Sequence, residues 1–340
     1  MPTMKAIQVS APGGDFELVQ REIPQPKDGE ALIKVEACGI CHGDAVTKFG
    51  GGRYAGIEYP RIPGHEIVGR IHALGAGVRG WEAGQRVGVG WYGGPCGKCA
   101  ACQRGDPDNC TNALTPGIHI DGGYAEYMVA STRGLARIPA AYDSVTAAPL
   151  LCAGRTTLSA LRGSGAKGGD LVAIQGLGGL GHMAVQFARR LGYKTVALSR
   201  GRDKEQLAKK LGAHIYIDTE QANAADELRK LGGARVILAT APNSAAIAGL
   251  LGGLGYDGQL IIVAAANDPM PVVPAQLFQG RRSIRGWVAN RAETADALDF
   301  CALVDIQPMI EVFPLEQAAA AFDKMMSSKV HFRSVLKVSD

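Results

Sequence analysis

Four of the eight cysteines of this 340-residue chain fall within fifteen residues, at Cys96, Cys99, Cys102 and Cys110. No other feature constrains the fold so tightly. Thiolates at this pitch converge on one tetrahedral cation without a distant segment to gather them, which suits a closed four-thiolate zinc site. The alternative is a set of disulfides or merely buried thiols, but a local C-x2-C-x2-C pattern strains as disulfides. Three more residues of ligand type lie scattered: Cys41, His65 and Cys152. A closed and an open site on one chain would give one zinc for shape and one for chemistry. Cys38 and Cys301, in apolar contexts, read as small core residues.

The length provides for about two domains. With 46% hydrophobic and 20% charged residues, the composition is that of a globular protein with ample core. Glycine is frequent, at 46 residues, without a three-residue period; this excludes collagen and points to tight turns and close backbone contacts. The net charge of +4 comes without a basic stripe, which argues against a nucleic-acid partner but fits a local pocket for an anionic cofactor. The first residues lack the apolar core of a secretion signal, and no apolar run approaches ~20 residues, so no membrane association is expected. Cysteines clustered for metal, without such a signal, point to a reducing cytoplasm.

Residues 1–150 read as an irregular β domain, with strands at 5–9, 16–22, 31–37, 67–73 and 86–89 between glycine and proline turns. From about residue 154 strands alternate with helices. Strands are expected at 171–175, 195–198, 215–217, 236–239, 260–264 and 283–287, and helices at 180–191, 203–211 and 222–231. Such alternation over ~130 residues predicts a doubly wound parallel sheet. Helices at 294–304 and 315–326 and a strand at 334–338 follow, a tail expected to return to the first domain.

Gly176-Leu-Gly178-Gly179-Leu180-Gly181 stands between the strand at 171–175 and the helix after it. In that context G-x-G-x-x-G predicts a dinucleotide site. Gly176 permits the turn, Gly178 lets backbone approach a pyrophosphate, and Gly181 lets helix and strand pack closely. The helix start, with Gly179 and Leu180, offers N–H groups to phosphate. At the end of the next strand, where an NAD site carries a carboxylate, this chain has Ser199, followed by Arg200 and Arg202. Without that carboxylate a 2′-phosphate meets no repulsion, and guanidinium matches phosphate well. NADP(H) is therefore favoured, with NAD(H) the alternative.

Cys38-Gly-Ile-Cys41-His42-Gly43-Asp44, Pro63-Gly64-His65-Glu66, the four-cysteine run, Asp121-Gly-Gly-Tyr124-Ala-Glu-Tyr127, Leu150-Leu-Cys152 and the glycine-rich turn come in an order that resembles the zinc-containing medium-chain alcohol dehydrogenases. The resemblance covers nearly the whole chain. It implies an α/β architecture: an irregular β-rich, GroES-like catalytic domain at 1–153, rejoined by 291–340, and a Rossmann-type cofactor domain with a doubly wound parallel sheet at 154–290. It implies that Cys41, His65 and Cys152 hold a catalytic zinc with a fourth position open, and that Cys96, Cys99, Cys102 and Cys110 hold a structural one. Glu66 would approach the metal during ligand exchange, or form an ion pair. Asp44 would position the site, or cap a turn. His42 and Arg333 would contact the cofactor pyrophosphate, and Trp91, Tyr54 and Val288 would line the substrate pocket.

The activity implied is hydride transfer between NADP(H) or NAD(H) and small to medium primary or secondary alcohols and their carbonyls. Polyol or sugar-alcohol oxidation is the nearest alternative; a non-catalytic protein retaining the fold is a more distant one. A homotetramer is implied, or a dimer, with the edge strand at 283–287 available for pairing. One departure stands out. Family members carry Ser or Thr two residues after the first ligand and often a histidine five residues after it, as a proton relay; this chain has Gly43 and Val46. Water in the space beside Gly43, or His42 itself, is then the expected substitute.

Overall fold

The computed structural model describes residues 2–50, 56–264, 266–289 and 293–339; Tyr54 lies outside them. The chain divides into two compact units, Met1–Cys152 with Asn290–Asp340, and Ala153–Ala289. Among the described residues, no helix is long and apolar enough to cross a membrane.

The first unit is organised around the strand Glu30–Ile40, which is buried almost throughout and exposes only Lys34. Along one edge it pairs antiparallel with Ile67–Leu74. Along the other, Tyr127–Ser131 takes its first half and Arg333–Lys337 its second. The sheet continues through Arg86–Val89 to Leu135–Arg137 on one side, and to Ile310–Pro314 on the other. Ile33, Val35, Ile67, Tyr124, Met128 and Phe322 share its core. Tyr127–Ser131, Leu135–Arg137 and Ile310–Pro314 escape the sequence reading: each has three to five residues, and tertiary pairing rather than local pattern makes them strands. The helix Asp44–Phe49, a turn and a half long, is too short to show a period.

The second unit is a six-stranded sheet, parallel throughout, in the order Ile215–Asp218, Lys194–Ser199, Leu171–Gln175, Ala234–Ala239, Leu254–Ile262, Ser283–Gly286. Numbered along the chain this is 3-2-1-4-5-6, the order of dinucleotide-binding sheets. Leu171–Gln175 is central and buried on both faces, which is why it reads as a continuous apolar run. The helix Gly181–Arg190 buries Met183, Val185 and Phe187, and places Arg189 and Arg190 at its negative C-terminal end.

Candidate metal and cofactor sites

Strand register brings together residues 24 apart in sequence. Cys38 pairs with Ile67, and Gly39 N–H donates to the Glu66 carbonyl at 3.0 Å. The chain thus leaves one strand at Cys41 beside the point where His65 and Glu66 enter the next. On the other edge Ser334 pairs with Ile40, so Arg333 begins its strand opposite Cys41. Cys152 arrives separately, at the end of the 3-10 turn Ala148–Leu151. That turn lies close on the strand Arg86–Val89: a methyl carbon at Gly88 would stand 2.8 Å from Leu151 Cδ2. One ligand atom each from Cys41, His65, Glu66 and Cys152 lies within 4.8 Å of all the others.

Burial and charge act on these groups together. A hydrogen bond with Cys152, reinforced by His65, holds the Cys41 thiol well below its ordinary pKa. The same bond, with burial, pushes Cys152 up. Burial works against a charged His65, but the charges of Cys41 and Asp44 outweigh it and raise its pKa. Burial, opposed by Arg333, lifts Glu66 to about 7. Glu66 Oε1 is ion-paired with the buried guanidinium of Arg333, whereas Oε2 is buried without a hydrogen-bond partner. Two sulfurs, an imidazole nitrogen and an orphaned carboxylate oxygen in one buried space form a donor set that fits a zinc ion.

Asp44 stands against the imidazole as an ion pair, without an aligned hydrogen bond to it. Its Oδ2 accepts from the Cys41 N–H at 2.9 Å and the Tyr124 hydroxyl at 3.0 Å. Its Oδ1 stands 3.1 Å from His65 Nδ1, which leaves Nε2 facing Cys41 Sγ at 2.9 Å. Nε2 is therefore the nitrogen presented to a metal. His42, next to Cys41, is exposed.

The space expected beside Gly43 is filled. The Trp91 indole packs edge-on against His65, ring centroids 4.8 Å apart. A methyl carbon at Gly43 would stand 2.6 Å from both His65 Cε1 and Trp91 Cζ3. The two rings occupy the volume a relay side chain would need.

The four-cysteine run also converges, each Sγ within 4.8 Å of the other three. Cys99 Sγ and Cys102 Sγ are 3.5 Å apart. Thiolates ~2.3 Å from one tetrahedral zinc stand about 3.8 Å apart. The N–H groups of Cys96 and Cys99 donate to sulfurs of the same set, at 3.3 and 3.4 Å. All eight cysteines are free thiols.

In the second unit Gly176 lies at the end of the central strand with φ +90°. A methyl carbon at Gly181 would stand 1.8 Å from the Gly176 carbonyl oxygen, so only glycine fits there. One at Gly178 would meet nothing within 4 Å, which leaves the cradle open to a ligand. Gly179 and Leu180 follow, and the helix starts without a side-chain cap. Ser199 ends the neighbouring strand, and Arg200 and Arg202 are exposed beyond it, the latter 3.5 Å from Glu205. Val288 is exposed.

Comparison with known proteins agrees with both halves. The alcohol dehydrogenase GroES-like domain matches residues 27–140, and the zinc-binding dehydrogenase domain matches 179–302. Alcohol dehydrogenase notN of Aspergillus sp. (strain MF297-2) is 42% identical over 312 residues, 92% of this chain and 91% of its own length. The chain belongs to the zinc-type medium-chain dehydrogenase/reductase family. An alcohol dehydrogenase of Geobacillus stearothermophilus is 36% identical over 339 residues, 99% of this chain and 100% of its own. A zinc-binding dehydrogenase from Sinorhizobium meliloti 1021, solved bound to NADP, superposes with a TM-score of 0.89 at 26% identity, covering 99% of this chain and 100% of that one. This medium-chain dehydrogenase is thus an oxidoreductase acting on small molecules, with residue sets that fit zinc and a nicotinamide cofactor.

The roles of three residues near these sites escaped the sequence reading. Tyr124 touches Asp44 across 80 positions, which no local signal announces. Lys204 Nζ lies 3.4 Å from the Leu177 carbonyl, bringing a cation to the glycine-rich turn. Asp218, beside Ser199 in register, is engaged by the N–H groups of Gly201 and Glu220, at 2.9 and 3.0 Å.

Proposed function

We propose that this dehydrogenase interconverts small to medium primary or secondary alcohols and their aldehydes or ketones, using a catalytic zinc, a separate structural zinc and NADP(H). The convergence of Cys41, His65 and Cys152, apart from the closed four-cysteine set, carries this reading. The bound groups supply Lewis acidity toward the substrate oxygen and hydride transfer at the nicotinamide. The chain's own residues hold and tune them. Cys41, His65 and Cys152 ligate, Asp44 fixes the tautomer of His65, and Arg333 holds Glu66 in reserve beside the metal. Trp91 narrows the approach next to His65 and favours slim or flat substrates. Two zinc per chain and turnover in an alcohol and aldehyde panel are the expected results; one zinc per chain with no turnover would sink the reading.

Ser199, Arg200, Arg202 and Lys204 support NADP(H). Asp218, the nearest strand-end carboxylate, is already engaged by backbone N–H groups. Arg200→Ala is expected to weaken NADPH binding about tenfold, the value of one charge-assisted hydrogen bond, with NADH nearly unaffected. Titrating both cofactors by fluorescence checks this, and tighter binding of NADH by the unaltered chain would overturn the preference. Assembly as a homotetramer is supported by the edge strand Ser283–Gly286 together with exposed Phe278 and Val288. Light scattering should give the tetramer mass; a monomer would refute it.

A further inference from the structure

The segment Asp121-Gly122-Gly123-Tyr124 has no part in the reading above, yet it is stitched to the residues just before His65. Gly122 N–H donates to the Ile62 carbonyl at 2.8 Å, Gly123 to Gly64 at 3.1 Å and Tyr124 to Pro63 at 3.0 Å. Asp121 Oδ1 accepts from Ile62 N–H at 3.1 Å and from Arg61 at 3.0 Å. The approach is close enough to demand glycine. A methyl carbon at Gly122 would stand 2.2 Å from the Gly64 carbonyl oxygen, and one at Gly64 would stand 2.6 Å from Tyr124 Cδ1. The Tyr124 ring is thereby fully buried, with its hydroxyl 3.0 Å from Asp44 Oδ2.

We propose that Tyr124 is a positioning residue of the catalytic metal site, orienting His65 through Asp44. With two donors, Tyr124 and the Cys41 N–H, Oδ2 fixes the plane of the carboxylate and keeps Oδ1 toward His65 Nδ1. With the Cys41 N–H alone the carboxylate pivots about that bond, and the imidazole loses its fixed direction. Asp44 is buried, so no solvent replaces the missing donor. Tyrosine suits the task because it stabilises the carboxylate without adding a cation to compete with His65.

The proposal rests on the reading that Cys41, His65 and Cys152 hold the catalytic zinc. Its test is Tyr124→Phe in the zinc-loaded full chain, with zinc release to a chromogenic chelator followed in time. Direct outer-shell partners of a metal ligand alter affinity by roughly 10–100-fold, and a residue one step further out should act less. Release from the Cys41 site is expected to accelerate about 3–10-fold, with the four-cysteine site unchanged as internal reference. Phe16→Leu loosens the same core without touching the hydroxyl, the two rings being 6.3 Å apart, and should leave release at the unaltered rate. Cobalt substitution gives a second readout, an altered absorption envelope for Tyr124→Phe alone. An unchanged release rate in Tyr124→Phe, or equal acceleration in Phe16→Leu, would overturn the proposal while leaving the metal assignment intact. A single zinc in the unaltered chain, held by the four cysteines, would overturn both.

Discussion

Cys152→Ser is expected to abolish turnover and leave the fold standing, whereas Cys102→Ser should do the reverse. A serine hydroxyl is not ionised near neutral pH and does not replace a thiolate on zinc. Losing a Lewis acid worth several kcal/mol, at 1.36 kcal/mol per tenfold, lowers kcat/KM by about 10³ or more. The exchange of sulfur for oxygen removes little volume, and Cys152 ends a 3-10 turn whose Ala148, Pro149, Leu150 and Leu151 are all buried and anchored without it. Cys102 has no such support. Its lobe holds a four-residue helix, Ala100–Gln103, and a three-residue 3-10 turn, Pro107–Asn109, with almost no core of their own. Metal-binding free energy is then folding free energy for that lobe. A loss of a few kcal/mol at ~2–4 °C per kcal/mol lowers the melting midpoint by about 10 °C. Circular dichroism on heating, with zinc content and hydride transfer measured alongside, separates the two variants. A Cys102 variant that melts normally but transfers no hydride would reverse the assignment of the two sites.

What could be read from sequence alone divides along the same lines as the chemistry. The four-cysteine run and the glycine-rich turn are local: spacing names the ligands in one case, and the flanking strand and helix name the context in the other. The alternating texture after residue 154 reports a parallel sheet because its central strands are buried on both faces. In the first unit Cys41, His65 and Cys152 were nameable, but their meeting depends on register between Glu30–Ile40 and Ile67–Leu74 and on the distant turn Ala148–Leu151. Arg333 illustrates the limit. No local pattern announces the strand pairing that sets it beside Cys41, or its ion pair with Glu66, 267 residues distant. Breaking a buried pair of this kind costs about 3–5 kcal/mol, so Arg333 holds the site together whatever else it touches.

Gly43→Thr, on sequence grounds a restoration of the relay, is expected instead to damage the enzyme. The backbone at Gly43, φ −60° and ψ −30°, is open to any residue, so conformation is no obstacle. Space is. The threonine Cβ alone would stand 2.6 Å from a ring atom of His65 and another of Trp91, before its hydroxyl and methyl are counted. His65 faces Asp44 at one nitrogen and Cys41 at the other, so a shift of the ring moves Nε2 from the metal position. Overpacking of this kind costs roughly 1–3 kcal/mol, and here the strain falls on a ligand. A fall in kcat/KM of at least about tenfold, with faster zinc loss from the Cys41 site, is the expected outcome. Trp91→Ala removes one of the two walls and leaves the His65 contact, so the double variant should regain part of what Gly43→Thr loses. That non-additivity is the signature of two residues sharing one volume. If the two substitutions simply add, or Gly43→Thr works as well as the parent, then the indole does not exclude a side chain at position 43. The missing hydroxyl would then have a cause other than packing.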